Sequence, residues 1–76
     1  MPAETILRTL ENGKWHYLKD IEEKTQLNSG KVENVTKFLA KCNFVKLDEA
    51  KQKVKLDPLM NRFLKRLRQL ENEENL

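Results

Sequence analysis

The side chains best suited to chemistry in this sequence form a polar group near its middle. Amide, ammonium and carboxylate groups recur there at the three- and four-residue spacing that places side chains on one face of a helix. An asparagine can pair with adenine, a lysine with guanine or phosphate, and a glutamate can accept from the amine of cytosine. The residues of this polar group are Ser29, Gly30, Lys31, Glu33, Asn34, Lys37 and Lys41. They predict a surface that binds nucleic acid, with an ordinary solvated helix face as the alternative.

The positive charge of the chain is concentrated around this polar group. The 76 residues carry a net charge of +3, but residues 31–68 alone hold eleven Lys or Arg against four Asp or Glu. Residues 1–30 hold four basic and five acidic residues, and residues 69–76 hold three acidic residues. A concentrated positive field attracts polyanions such as duplex DNA. The alternative is a lysine-rich surface that only keeps the protein soluble.

The other reactive residue types argue against catalysis. His16 is the only histidine and Cys42 the only cysteine, so one chain cannot supply the four ligands of a zinc site. The sequence shows no Ser–His–Asp grouping, no phosphate-binding loop and no carboxylate pair. We therefore expect no enzyme activity, no metal, no cofactor and no small-molecule ligand.

Length and hydropathy narrow the class of protein further. A chain of 76 residues has room for one domain with a modest core. A core of this size supplies only a few kcal/mol, so we expect a partner chain to add stability. No apolar run approaches the roughly 18 residues of a membrane span, and the first residues lack the pattern of a signal peptide. A lone cysteine is typical of a reducing compartment. We expect a cytoplasmic protein that does not contact a membrane.

Apolar periodicity predicts four helices and a hairpin around the polar group. Asn28 and Asp57 are suited to begin a helix, and Asn43 can adopt the left-handed backbone that ends one. Val54 and Leu56 alternate with lysines, as in a half-buried strand. The predicted elements are helices over residues 2–12, 18–25, 29–42 and 58–70, extended segments over 14–17, 44–47 and 53–56, and a frayed acidic tail over 71–76.

The apolar residues also predict which side of each element is buried. The residues of the third helix that share an apolar side are Val32, Val35, Phe38, Leu39 and Cys42. Trp15 and Tyr17 are able to stack on the bases of a single strand, but aromatic residues beside a helix end more often close a core, and we expect that here. Lys14 and His16 are weaker candidates for phosphate contacts.

The predicted elements follow the order helix, strand, helix, helix, strand, strand, helix. A further set of positions is distributed over these elements. These positions are Trp15, Ile21, Leu27, Val32, Leu39 and the run Asn43-Phe44-Val45. Over about residues 4–65, the chain resembles small prokaryotic, including archaeal, winged helix-turn-helix transcription regulators of the arsenical-repressor and multiple-antibiotic-resistance-regulator type. It departs from them at Asn43, where the family commonly has glycine.

The resemblance implies how the chain would contact DNA. In such regulators the third helix lies in the major groove and reads base edges from its N-terminal half. The hairpin, or wing, usually lies along the phosphate backbone or the minor groove. Lys51 and Lys53 would be its contacts, with Asp48 and Glu49 opposing them nearby. An ordinary soluble hairpin is the alternative.

The apolar face of the last predicted helix is wider than one packing contact needs. At 100° per residue, its side chains cover an arc of about 140°. We expect the edge formed by Leu59 and Phe63 to close the domain. We expect the other edge to pack on the same helix of a second chain, and its residues are Met60, Leu64, Leu67 and Leu70. The alternative is that the whole helix folds back on its own domain.

The sequence thus predicts a mainly α protein with a small β-hairpin, of the α+β class, in one domain over residues 1–70. The predicted function is sequence-specific binding of double-stranded DNA by a homodimer that regulates transcription. A protein–protein interaction module in a larger assembly is the alternative, because winged helices serve both purposes and a fold does not by itself decide function.

Overall fold

Local capping interactions fix where the helices begin and end. The Asn28 side chain accepts a hydrogen bond from the backbone N–H of Lys31 at 2.7 Å, and a helix begins at the next residue. The Asp57 carboxylate accepts from the backbone N–H of Leu59 at 2.9 Å, directly before another helix. Asn43 follows the first of these helices with a left-handed φ of 63°. The caps predicted at all three positions are confirmed.

The computed structural model describes residues 1–74. Their elements in chain order are α1 (Pro2–Thr9), β1 (His16–Tyr17), α2 (Leu18–Thr25), α3 (Ser29–Lys41), β2 (Val45–Asp48), β3 (Lys53–Leu56) and α4 (Pro58–Glu74). This is the predicted order, and the mainly helical α+β class is confirmed. The last two residues of the predicted acidic tail, 75 and 76, lie outside the described residues.

Two helix ends differ from the prediction. α1 ends at Thr9 and not at residue 12, because the chain tightens into a turn. In that turn the backbone N–H groups of Glu11 and Gly13 donate to carbonyls three residues back, at 3.2 and 3.1 Å. α4 continues through Glu74, so residues 71–74 are helical and do not form the frayed tail that we predicted.

The strands form one antiparallel sheet in the order β1–β3–β2. The predicted hairpin is the β2–β3 pair, in which Val45 lies opposite Leu56. The short segment before α2 adds the third strand, with His16 opposite Val54. Apolar residues of β2 and β3 alternate with lysines, so one face of the sheet lies on the core and the other carries the lysines.

The core lies between the helices and the inner face of the sheet. Its buried apolar residues are Ile6, Leu10, Leu18, Ile21, Val32, Leu39, Val45, Val54 and Leu56. Every element from α1 to β3 except the short β1 contributes to this set. The core therefore fixes the orientation of α3 relative to the sheet, which decides which residues of α3 are exposed.

The apolar contacts of α4 with the body are confined to its first half. Met60 and Leu64 lie against the core, and Arg68 forms an ion pair with Glu11. From residue 65 to residue 73 every side chain is exposed. The described chain measures 43 × 23 × 19 Å, as expected when a helix of about 25 Å projects from a small body. None of the helices over residues 1–74 has both the length and the apolar character needed to cross a membrane.

Candidate nucleic-acid interface

The buried side of α3 is rotated by roughly 60° from the predicted one, at 100° per residue. Val32 and Leu39 are buried as predicted, but Thr36 takes the third core position. Its hydroxyl donates to the Val32 carbonyl at 2.8 Å, so this buried hydroxyl is paired. Phe38 is 61% exposed and Cys42 is also exposed. The prediction that Phe38 and Cys42 face the core is therefore wrong.

The opposite side of α3 carries the predicted polar group except Ser29, which is in line with Thr36 and is exposed at the first residue of the helix. All seven of its residues are exposed. The observed rotation places Asn34 and Lys41 near the centre of this side, Lys37 on one flank and Phe38 on the other. Phe38 is the residue that the sequence argument missed, although it stands four residues after Asn34 and three before Lys41. These eight residues, the seven of the polar group together with Phe38, are called the α3 face below.

An ion pair on the α3 face lowers the positive charge that it presents. The Lys37 ammonium donates a hydrogen bond to the Glu33 carboxylate at 2.9 Å, and both side chains are about half exposed. This hydrogen bond raises the pKa of Lys37 above its ordinary value. Lys37 is therefore fully protonated at neutral pH, but it must exchange its bond with Glu33 for any bond to DNA.

The turn between β2 and β3, residues 49–52, lies beside α3. Glu49 shares a groove with Lys37 and Lys41. Gln52 shares another with Ser29 at the start of α3. Lys51, in the same turn, is exposed as the predicted wing contact requires. The fold thus brings the turn and the α3 face together.

Lys53 is placed differently from Lys51. It is half-buried, and its ammonium lies 5.0 Å from the centre of the Trp15 ring, across the outer face of the sheet. This position is not at the tip of the hairpin. Lys53 therefore belongs to the sheet surface that contains Trp15.

Gly30 occupies a position where the fold does not need a glycine. A Cβ built there would meet only the Asn28 side-chain oxygen at 3.5 Å, which is ordinary van der Waals contact. Its backbone is helical, so positive φ does not explain it either. A glycine in a helix is destabilising relative to alanine. No contact within the described residues therefore requires a glycine at this position.

Trp15 and Tyr17 do not close the core, contrary to our expectation. They are 42% and 58% exposed, respectively. In the register of β1 against β3, His16 lies opposite the buried Val54 and Tyr17 opposite the outward Lys53. Because neighbouring residues of a strand point to opposite faces, the two aromatic residues lie on the outer face with the lysines.

His16 is on the inner side of this strand and is half-buried. Its Nε2 lies 2.9 Å from the Asn12 side-chain oxygen. Burial lowers the pKa of His16, and the charge of Lys24 lowers it further. The lowered pKa favours the neutral imidazole, which offers a phosphate less positive charge than the exposed lysines do. Among residues 1–74, no three His, Cys, Asp or Glu side chains come close enough to hold a metal ion.

The two predicted edges of α4 are exchanged in the first half of the helix, over residues 59–64. Leu59 and Phe63, expected to close the domain, are 69% and 55% exposed. Met60 and Leu64, expected to contact a second chain, pack on the core of their own domain instead. Leu67 and Leu70 are exposed, as a contact with a second chain requires. The exposed apolar residues of α4, called the α4 stripe below, are Leu59, Phe63, Leu67 and Leu70.

Comparisons with known proteins do not identify a relative. No protein-family model matches the chain, and no curated protein and no solved structure is significantly similar to it. The function must therefore be argued from the surfaces described above.

Proposed function

We propose that this protein is a winged helix-turn-helix homodimer that binds double-stranded DNA and regulates transcription in the cytoplasm, without enzymatic activity. The observation that carries the proposal is the α3 face. Polar residues with base-reading chemistry lie together on one exposed side of a helix, directly opposite the buried Val32, Thr36 and Leu39. A helix in the major groove needs one such uncovered side.

Five residues of the α3 face have defined roles in this arrangement. Asn34 pairs with adenine, and Lys41 and Lys31 bind guanine or phosphate. Phe38 contacts the methyl group of thymine, which is the apolar contact available in the major groove. Asn34 and Phe38 are one helical turn apart, so together they favour an A·T pair within the site. Glu33 accepts from a cytosine amine once DNA has displaced it from Lys37.

The wing contact is Lys51. It stands in the turn that lies beside α3 and is exposed. Glu49, in the same turn, is also exposed and repels phosphate. We therefore assign one phosphate contact to the wing and none to Lys53.

The α4 stripe is the dimer contact in this proposal. Its four residues fall within an arc of about 80° and extend over about 16 Å of helix. The segment beside it is strongly polarised in charge, with the basic residues Arg62, Lys65, Arg66 and Arg68 followed by the acidic residues Glu71, Glu73 and Glu74. An antiparallel pair of α4 helices places the basic half of one beside the acidic end of the other. Such a pair is related by a two-fold axis, as most homodimers are.

The second candidate function is a protein–protein interaction module. The exposure of Phe38 on α3 and of Phe63 on α4 favours it, because aromatic residues are enriched in the cores of protein interfaces. In that case the same surfaces bind a protein, and the lysines lie at its rim.

A titration of the isotope-labelled chain with a duplex of two helical turns tests the proposal. We expect amide shifts over residues 29–41 and at Lys51. We also expect log K to fall with log salt at a slope of about −3 to −4 per protomer, because the four lysines 31, 37, 41 and 51 displace counterions. Absence of duplex binding at low salt, with shifts only over residues 59–70 on dilution, would overturn DNA binding and leave the interaction module.

Substitution of Gly30 by alanine separates stability from function. We expect Gly30→Ala to stabilise the fold by about 0.5 kcal/mol, since the added methyl meets no close neighbour within the chain. We expect it to weaken duplex binding roughly fivefold, the effect of about 1 kcal/mol, because the methyl separates the backbone from a phosphate. Urea unfolding and a binding titration measure the two effects. A more stable variant with unchanged affinity would show that no phosphate approaches α3 at this position.

A further inference from the structure

The outer face of the sheet carries a second cluster of aromatic and basic side chains, separate from the α3 face. It consists of Trp15, Tyr17, Lys46, Lys53 and Lys55, called the sheet face below. The two aromatic residues come from the edge strand and the residue before it, and the lysines come from the other two strands. Asp48 is the carboxylate that the strand register places on the same side.

Two of these lysines are drawn to one aromatic ring. The ammonium groups of Lys53 and Lys55 lie 5.0 and 4.9 Å from the centre of the Trp15 ring, which is cation–π distance. Among the described side chains, no carboxylate comes within 4.0 Å of either ammonium. Two positive charges without anionic partners are thus held beside a ring that is 42% exposed.

We infer that the sheet face binds single-stranded DNA. Exposed aromatic rings among positive charges are the chemistry that such a strand requires, since its bases stack and its phosphates pair. Trp15 and Tyr17 are two residues apart on an extended strand, about 6.6 Å along it. This is about twice the 3.4 Å rise of a stacked nucleotide. Two neighbouring bases can stack on the two rings only when the bases are not stacked on each other, as in an extended single strand.

The other polyanions fit this face less well. The bases of a duplex are stacked on each other and cannot offer their faces to an exposed ring. A protein or a membrane would need aliphatic surface beside the rings, and the outward positions of the sheet carry lysine and aspartate instead. Stacking and phosphate pairing make no use of a 2′-hydroxyl, so this chemistry does not require RNA. The choice of DNA rests on the proposed function, in which the α3 face binds DNA.

The sheet face lies close enough to α3 to bind a single strand that is released from a duplex on the α3 face. Tyr17 borders the cleft that also contains Ser29, at the start of α3. Trp15 comes two residues before Tyr17 in the chain and does not line that cleft. A strand that leaves a locally opened duplex on the α3 face would meet Tyr17 first and Trp15 next. The binding itself does not depend on duplex recognition by α3, and the test below keeps the two apart.

Trp15 is the only tryptophan, so its fluorescence reports on this face directly in the full chain. The probes are a thymidine dodecamer, its abasic equivalent, the RNA of the same sequence and a duplex of the same length, all at low salt. We expect the thymidine dodecamer to quench Trp15 and to bind at least fivefold more tightly than the abasic strand, because the abasic strand has phosphates but no bases to stack.

Two variants locate the binding. Tyr17→Leu leaves Trp15 in place and should weaken binding of the thymidine dodecamer at least fivefold, the smaller effect expected for one stacked base. The matched control is Asn34→Ala with Lys37→Ala on the α3 face, which should leave this binding unchanged whatever it does to duplex binding. Circular dichroism confirms that each variant folds.

Three results would overturn the inference. They are absence of quenching by the thymidine dodecamer, equal binding of the abasic strand, and unchanged affinity in Tyr17→Leu. Binding of the RNA tenfold more tightly than the DNA would reject DNA as the ligand. Failure of duplex binding alone would leave the inference intact, because it concerns the other surface.

Discussion

Replacement of Phe63 and Leu67 together by glutamate should convert the protein to a monomer. In the proposed dimer the α4 stripe is buried, and a carboxylate there has no partner to compensate its desolvation. Loss of the dimer should lower the affinity for a duplex with two half-sites by about 10²- to 10⁴-fold, because the second α3 no longer binds as part of one molecule. Sedimentation velocity measures the oligomeric state, and a titration with a duplex selected from a random pool measures the affinity.

The matched control is Gln69→Glu with Asn72→Glu. It changes the charge of α4 by the same amount, at two exposed positions on the side away from the stripe. We expect this control to remain dimeric and to retain most of its duplex affinity. If the unmodified protein is already monomeric at high micromolar concentration, the α4 stripe is not a contact between two copies.

The helix and strand positions could be predicted because the signals that set them are local. Asn28 and Asp57 each accept a backbone hydrogen bond two or three residues ahead, and any neighbouring sequence would allow this. Asn43 tolerates positive φ through its own side chain. The turn after α1 was harder to predict, since i to i−3 hydrogen bonds compete closely with continued helix at residues 10–12.

The orientation of α3 could not be predicted in full, because it depends on the elements that pack around it. Apolar spacing alone counts Phe38 as a core residue and Thr36 as a polar one. The fold reverses both, because the threonine hydroxyl is satisfied within its own helix. The sequence of α3 does not indicate which side of this helix the neighbouring elements will cover. The predicted polar group is still exposed, because the uncovered side of α3 is wide enough to include it after a rotation of about 60°.

The same reason explains the errors at β1 and α4. The alternation Trp15, His16, Tyr17 is compatible with either face, and only the register against β3 decides that His16 points inward. On α4 both edges are equally apolar, so periodicity cannot say which one packs on the body. In each case a contact between distant parts of the chain decides which residues are buried. The residues that stay exposed form the sheet face and the α4 stripe, for which we propose functions.

The combined substitution Asn34→Ala and Lys37→Ala should lower the affinity for a selected duplex by about 30- to 1,000-fold. The amide of Asn34 stands near the centre of the α3 face, where loss of an adenine contact costs about 1–3 kcal/mol. Lys37 contributes a base or phosphate contact of about 1 kcal/mol, and its removal also leaves the Glu33 carboxylate without its cation. Binding to unselected duplex should fall far less, because the other lysines still contact phosphates.

The matched control is Lys24→Ala with Asn72→Ala, which removes the same two side-chain types from exposed positions on α2 and α4. Titrations of both double variants with selected and unselected duplex separate specificity from general attraction. The ratio of the two affinities should fall in the α3 variant and stay constant in the control. Equal losses on both duplexes would mean that the α3 face contacts only the phosphate backbone. Unchanged affinity for both duplexes would show that DNA does not bind through α3. The substitutions do not disturb the helix itself, since the substituted side chains are exposed and Val32, Thr36 and Leu39 stay buried.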